Sequence, residues 1–305
     1  MATVRKVNFL SHGINVIGDL YLPSPNAPDR QNAALIVGHP GTSIKEQASG
    51  LYARKLAEHG FITLAYDAAF QGESEGEPRY LEDPYQRVED LKSAVTFLST
   101  LDGDVDPERI GVVGICASGG YAIFASQTDV RMKAVATVVG VCLGGMHRNS
   151  LRDDFGNINP ETLHQRLSFA AQERISEANG GKPAAFSTLD VFEEAKSYYL
   201  TPRGYHPKCN NLQLVRSFEK LSTYDSLAFI DWISPRPLLM ITGSLADTGN
   251  GGPADTACYS KDAIKKAKEP KELFVIEGKG HLDLYADTEE SVPKLADFMG
   301  KALCT

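Results

Sequence analysis

The chain has 305 residues, of which 42% are hydrophobic and 23% charged, with a formal net charge of -8. That composition fits a soluble globular protein with one large core and excludes intrinsic disorder. The negative balance argues against a nucleic-acid groove or a basic membrane-facing surface, because polyanions are repelled on average.

No segment approaches the ~20 apolar residues that cross a bilayer, and Met1 to Leu10 contains no apolar signal core. A cytoplasmic location is therefore expected, with no membrane and no nucleic acid among the partners. The five cysteines are scattered, with no C-x-x-C pair, so neither a disulfide framework nor a zinc knuckle is expected.

In chain order, short β-branched runs alternate with amphipathic ones. Strands are expected at Val4 to Phe9, Asn15 to Leu22, Ala33 to Val37, Phe61 to Tyr66, Ile110 to Ile115 and Ala134 to Val141. This alternation describes a mainly parallel sheet flanked by helices, with an edge hairpin formed by the first two runs. Ser43 and Glu46 stand at capping-box spacing before a helix, and a second helix is expected from Tyr85 to Leu98.

From residue 143 to 225 the pattern changes to polar, Gly- and Asn-containing segments mixed with weakly amphipathic ones, such as Glu161 to Glu177 and Leu189 to Tyr199. That length and periodicity predict a mostly helical cap inserted in the sheet domain, whose core would be 1–142 and 226–305. Sheet alternation resumes at Pro237 to Thr242, a helix from Ala254 to Ala267, Glu272 to Ile276, and a last helix from Glu290 to Met299.

The sharpest chemical signal is Gly114-Ile115-Cys116-Ala117-Ser118-Gly119-Gly120, set between a strand and a helix. It matches a G-x-S-x-G nucleophile elbow in which Cys116 replaces serine and Ser118 replaces the second glycine. A free cysteine is more often a small buried hydrophobe, but the strand, turn and helix context favours a nucleophile. Ser118 is a rival that would fall on the first helical turn and point away.

An elbow of this type places nucleophile, acid and histidine in that chain order. His281, in Gly278-Lys-Gly-His281, follows the whole sheet pattern and is the expected base. Asp247 follows the strand before it and is the expected acid, with Asp255 and Asp283 as weaker contenders. Oxyanion donors are expected at the backbone N–H of Ala117 and in Gly38-His39-Pro40-Gly41-Thr42, where Pro40 has no N–H and Gly41 is the natural choice. His39 is expected to brace that loop, and Asp67 to cap the Gly-rich loop after it. Met146, Tyr198, Tyr199 and His206 are candidates for the substrate pocket.

With these motifs the chain resembles the α/β-hydrolase superfamily over nearly its whole length. The cysteine nucleophile is similar to that of the dienelactone hydrolase branch, which implies a triad of Cys116, Asp247 and His281 with oxyanion donors Gly41 and Ala117. That branch carries a glutamate where this chain has Pro40. The inserted cap, together with the motifs His39-Pro40, Lys45-Glu46-Gln47, Asp67 with Gly72 to Gly76, and Tyr198-Tyr199 with Pro202-Arg203-Gly204, makes the chain more closely resemble capped fungal polyketide transferases and hydrolases.

The resemblance implies an acyl hydrolase or acyltransferase working on an ester or thioester of polyketide type through a cysteinyl acyl-enzyme. The substrate would be a small acyl compound, free or presented on an acyl carrier or polyketide synthase, and no cofactor or metal is implied. A homodimer stays open. Two other readings also stay open: a cyclase, aldol or C–C-cleaving enzyme using His281 without an acyl-enzyme, and a non-catalytic ligand receptor.

Overall fold

In the computed structural model, which describes residues 2–151, 157–246 and 255–304, the apolar runs become one eight-stranded sheet. The elements of the first half are β1 (Thr3–Ser11), β2 (Ile14–Leu22), β3 (Ala34–Gly38), α1 (Ala48–Glu58), β4 (Ile62–Tyr66), α2 (Pro84–Ser99), β5 (Ile110–Ile115), α3 (Ala117–Thr128) and β6 (Ala134–Val138). A more irregular stretch follows: α4 (Leu143–Asn149), α5 (Pro160–Ala178), β7 (Ala185–Ser187), α6 (Thr188–Val191), α7 (Lys196–Tyr199), β8 (Leu212–Leu214) and α8 (Ser217–Leu221). The chain then returns to the sheet with β9 (Leu238–Gly243), α9 (Ala257–Lys266), β10 (Lys271–Ile276), α10 (Asp283–Ala286) and α11 (Ser291–Leu303).

The sheet order is β1-β2-β4-β3-β5-β6-β9-β10. β1 and β2 form the antiparallel edge hairpin, β2 meets β4 antiparallel, and all other neighbours are parallel. The inner strands β3, β4, β5, β6 and β9 are buried at every residue, as strands covered by helices on both faces must be. One face packs Val88, Leu91 and Val95 of α2 with Tyr121 and Ala122 of α3, and the other packs Tyr52 and Leu56 of α1 with Leu295 and Met299 of α11.

After β3 the chain moves to one side, to β4, and then returns to the other side, to β5. The carboxyl ends of β3 and β5 therefore flank the crevice where the strand order reverses, which is where open α/β sheets hold their ligands.

Between β6 and β9 the structure is more broken than a run of helices. β7 and β8 pair as a two-stranded antiparallel ribbon, and the weakly amphipathic stretch from Leu189 to Tyr199 is α6 and α7 separated by a 3₁₀ turn. β6 also stops three residues early, because Val139 takes a positive φ of 44° that a strand cannot continue through.

The capping box does not form. Ser43 Oγ donates to Gln47 Oε1 at 2.7 Å, α1 starts only at Ala48, and Glu46 instead accepts from Lys45 Nζ at 2.8 Å. The buried Lys45 ammonium draws Asp67 and Glu73 around it, which outcompetes the local cap. Helix α2, by contrast, has an Asp83 cap that accepts from the N–H groups of Tyr85 and Gln86, followed by Pro84 at the first helical position. Among the described residues no helix is long and apolar enough to cross a membrane.

The junction of β5 and α3 needs residues without side chains. A Cβ on Gly114 would lie 2.1 Å from the Ser118 carbonyl oxygen, and one on Gly119 would lie 2.5 Å from Gly140 Cα. Because both obstacles are backbone, Gly114→Ala should lower stability by about 1–3 kcal/mol or more, read as a drop in the urea midpoint without a change in slope.

Candidate active site

Cys116 is the single residue between β5 and α3, with φ 52° and ψ -116°. This is a costly conformation for a residue with a Cβ, held only where the surroundings over-determine it. Three backbone bonds do so: Cys116 N–H donates to Val138 at 3.0 Å, and its carbonyl accepts from Gly119 at 2.9 Å and Val141 at 3.0 Å. The result is a half-buried side chain presented at the carboxyl end of the central strand.

The loop after β3 lies directly alongside. A Cβ on Gly41 would come 3.6 Å from that of Ala117, and the N–H groups of Ala117 and Gly41 both turn toward the Cys116 sulfur. His39 holds this loop in shape: its Nε2 accepts from Ala68 N–H at 3.0 Å, which leaves Nδ1 to donate to the Pro40 carbonyl at 2.6 Å. Burial, and next the Arg87 charge, keep His39 neutral, well below its ordinary 6.5.

Ser118 is buried and faces away from the crevice. Its hydroxyl donates to the His39 carbonyl at 2.5 Å and accepts from Arg87 at 3.0 Å, and Arg87 also donates to that carbonyl at 2.8 Å. Room for Ser118 comes from Gly38, where a Cβ would fall 2.7 Å from the Ser118 side chain. Arg87 is itself neutralised by buried Glu82 at 3.6 Å, which also accepts from Tyr121 at 2.7 Å. A buried polar network thus fastens the β3 loop to the first turn of α3.

His281 lies in the loop between β10 and α10 and is only 2% exposed. Its Nδ1 meets Thr256 Oγ1 at 2.7 Å and its Nε2 meets the Tyr285 hydroxyl at 3.0 Å. Desolvation pushes its pKa down from 6.5 to about 4, so the imidazole is neutral at pH 7. Burial pushes the Cys116 thiol up, against the opposing influence of the Tyr285 hydroxyl, the Ala117 and Gly41 N–H groups and Arg87. The resting site therefore pairs a thiol with an uncharged imidazole.

Tyr285 lies near both. Its hydroxyl is hydrogen-bonded with His281 Nε2 and is the first influence opposing the upward shift of the Cys116 thiol, and no direct hydrogen bond joins Cys116 to His281. Tyr198 and Tyr199 pack edge-on against Tyr285, with ring centroids 5.1 and 6.4 Å away. Tyr199 is buried, and the nearby Cys116 is among the influences that hold its phenol well above the ordinary value of 10.

Of the remaining expected residues, Asp247 lies outside the described residues. Asp255 is buried next to Thr256, whereas Asp283 is turned outward, accepting from Gly280 N–H at 2.9 Å and Arg203 at 3.1 Å. Asp283 therefore shapes the His281 loop without reaching the ring. Met146 is half-buried on α4, and His206 is engaged in its own turn, accepting from Lys208 N–H at 3.3 Å. Asp67 caps its loop, accepting from the N–H groups of Lys45 at 2.7 Å and Glu73 at 2.8 Å.

The sequence reading missed Tyr285, Thr256 and the Arg87–Glu82 pair. Only Tyr285 carried a signal, since it stands four residues after His281, the spacing at which helical side chains meet.

A family model described as the alpha/beta hydrolase family matches residues 35–293, and the chain belongs to that family. An uncharacterized protein of Pseudomonas aeruginosa is 37% identical over 98% of this chain and 81% of its own. A crystal structure of a hypothetical protein from the same organism superposes with a TM-score of 0.88 at 36% identity, covering 99% of this chain and 94% of that one. A polyketide transferase of a Penicillium species is 28% identical over 89% of both chains, and a thiohydrolase of Aspergillus aculeatus is 28% identical over 78% of this chain and 76% of its own.

The neutral, buried His281 couples stability to pH. Its folded pKa lies below its unfolded one, so the unfolded chain binds the proton first. Its contribution is complete above about pH 6.5 and is lost as pH falls from there toward about 4, by at most ~1.4 kcal/mol per pH unit. Urea titrations across that window should show a shallower loss of stability for His281→Asn than for the wild type; parallel curves would remove His281 as the cause.

Proposed function

We propose that the protein is an acyl hydrolase or acyltransferase that takes the acyl group of an ester or thioester onto Cys116. The observation that carries this reading is the placement of Cys116 at a positive φ between two backbone N–H groups, those of Gly41 and Ala117. A carbonyl oxygen entering that gap would exchange the sulfur for itself as hydrogen-bond acceptor. The charge developing on it would then be met by two donors already in place, the arrangement that lowers the barrier to acyl transfer most.

His281 serves as the base in this reading, with the orienting carboxylate assigned to Asp247. Sulfur attacks the carbonyl carbon, the imidazole takes up the thiol proton, and the leaving alcohol or thiol departs with a proton returned from the imidazolium. Water or an acceptor hydroxyl, deprotonated by His281, then releases the acyl group. The acyl-enzyme is itself a thioester, so loading from a carrier thioester is close to isoenergetic.

The names of the two fungal relatives, a polyketide transferase and a thiohydrolase, support a polyketide-type acyl group carried as a thioester. The tyrosine-walled surroundings of the sulfur suit an extended, partly aromatic chain better than a charged one. The absence of a phosphate-cradling glycine loop in the sequence is in keeping with that choice.

Incubation with acyl thioesters of graded length, followed by intact mass and peptide mapping, should place one acyl group on Cys116. Cys116→Ala should abolish turnover, and Cys116→Ser should retain a small fraction, because a hydroxyl needs fuller help from the base than a thiol. Full turnover by Cys116→Ala would refute the reading. Survival of activity in that variant with loss in His281→Ala would point instead to acid–base chemistry without an acyl-enzyme.

A further inference from the structure

The loop after β3 ends in a tight turn from Pro40 to Ser43, closed by Ser43 N–H donating to the Pro40 carbonyl at 3.3 Å. The same carbonyl accepts from His39 Nδ1, so its direction is fixed twice. A trans peptide points its C=O and N–H to opposite sides. With the Pro40 carbonyl turned into the loop, the Gly41 N–H is turned out of it, toward the Cys116 sulfur. The aim of that N–H is therefore a property of the turn.

The turn holds a residue that resists it. Thr42 takes a φ of 55° at the second central position, the pattern of a type II turn, where glycine is the usual occupant and a β-branched residue is an outlier. Such a conformation persists only where the surroundings over-determine it. Here those surroundings come from the segment between β6 and β9. Thr188, the first residue of α6, spends its hydroxyl proton on the Asn211 carbonyl at 3.1 Å, so the 3.0 Å contact between the Thr42 and Thr188 hydroxyls is a donation from Thr42. Thr188 N–H donates to the same Asn211 carbonyl at 2.9 Å. In return the amide of Asn211, buried and itself at a φ of 51°, donates to the Thr42 carbonyl at 3.4 Å, joined by the Cys209 thiol at 3.5 Å. Just beyond the turn, Gln47 accepts from the Ser43 hydroxyl and donates to the Gly204 carbonyl.

We propose that Thr188 and Asn211 are positioning residues for the oxyanion donor Gly41, so that the segment between β6 and β9 sets the gap beside Cys116. This deepens the acyl-transfer reading and rests on it, since the Gly41 N–H matters only if a carbonyl oxygen enters that gap. Neither residue touches the reacting atoms; both act through Thr42. Arg87 and His39 hold the start of the loop from the core, and Thr188 and Asn211 hold its end. Without the Thr188 hydroxyl, Thr42 loses the partner of its own hydroxyl, and the turn relaxes toward the right-handed backbone that a threonine prefers. The Gly41 N–H then swings off the developing oxyanion. Because that charge exists only in the transition state, the loss falls on kcat and leaves KM in place.

The test is Thr188→Val, which keeps the branched shape and removes the hydroxyl. Its kcat for acyl-thioester turnover should fall roughly 10-fold, a fraction of the 10²–10³ lost when an oxyanion donor is removed outright, with KM within about twofold of the wild type. Thr188→Ser, which keeps the hydroxyl, should restore kcat. Thr42→Gly supplies the residue that the turn prefers, so adding it to Thr188→Val should recover most of the lost kcat, whereas two independent losses would add.

An unchanged kcat in Thr188→Val overturns the proposal. Equal losses in Thr188→Val and Thr188→Ser overturn it too, as do additive losses in the double variant, since ordinary packing would produce either. Should Thr188→Val fail to fold, Asn211→Gly keeps the left-handed backbone, removes the amide, and should show the same fall in kcat at constant KM; a rise in KM alone would overturn the proposal. Intact mass of the wild type after incubation with an acyl thioester separates the two claims. No adduct on Cys116 sinks the acyl-transfer reading, and an adduct with kcat unmoved in the variants sinks only the positioning role.

Discussion

Everything at the crevice depends on the close approach of the first turn of α3 to the end of β5. Gly114 and Gly119 allow it by having no side chain where the Ser118 carbonyl and Gly140 must sit. The approach forces Cys116 into a left-handed backbone conformation, and the local cost, of order 1–3 kcal/mol, is carried by the parallel sheet on either side. A sheet buried on both faces can hold one strained residue rigidly, which a surface loop cannot. The orientation of the thiol is therefore a property of the core.

The second donor segment is kept in register with the first by a charged cluster placed where charges are rare. Arg87 reaches from α2 through the core to the His39 carbonyl and to Ser118, with Glu82 balancing it. Breaking such a pair by removing one partner costs far more than the pair itself contributes, because the other charge is left stranded. Its effect here is geometric: two stretches of chain about eighty residues apart in sequence are locked to one another across Gly38.

How much of this could be read from the sequence depended on how local each signal was. The strands β3, β4 and β5 announced themselves because full burial demands unbroken apolar runs, and the elbow did so because only small residues fit around Cys116. Ser43 and Glu46 misled, since the capping-box spacing was present but the buried Lys45 recruited Glu46 through contacts with Asp67 and Glu73 that no local window contains. The weakly amphipathic stretch from Leu189 to Tyr199 is broken for a similar reason: β7, which precedes it, is set by pairing with β8, and Thr188 N–H donates to the Asn211 carbonyl. Tyr285 was legible only in part and Thr256 not at all, because a threonine beside a histidine becomes meaningful once the fold has brought α9 and the β10 loop together.

One consequence of the resting charge state concerns oxidation. Peroxides and other oxidants react with thiolates far faster than with thiols, and exposed, low-pKa cysteines are the ones that climb to sulfenic and sulfinic acids. Cys116 is held protonated by its desolvated surroundings, beside an uncharged imidazole and under a wall of tyrosine rings. The same burial that makes the sulfur a reluctant ion keeps the readily oxidised thiolate scarce, although the side chain itself is only half-buried.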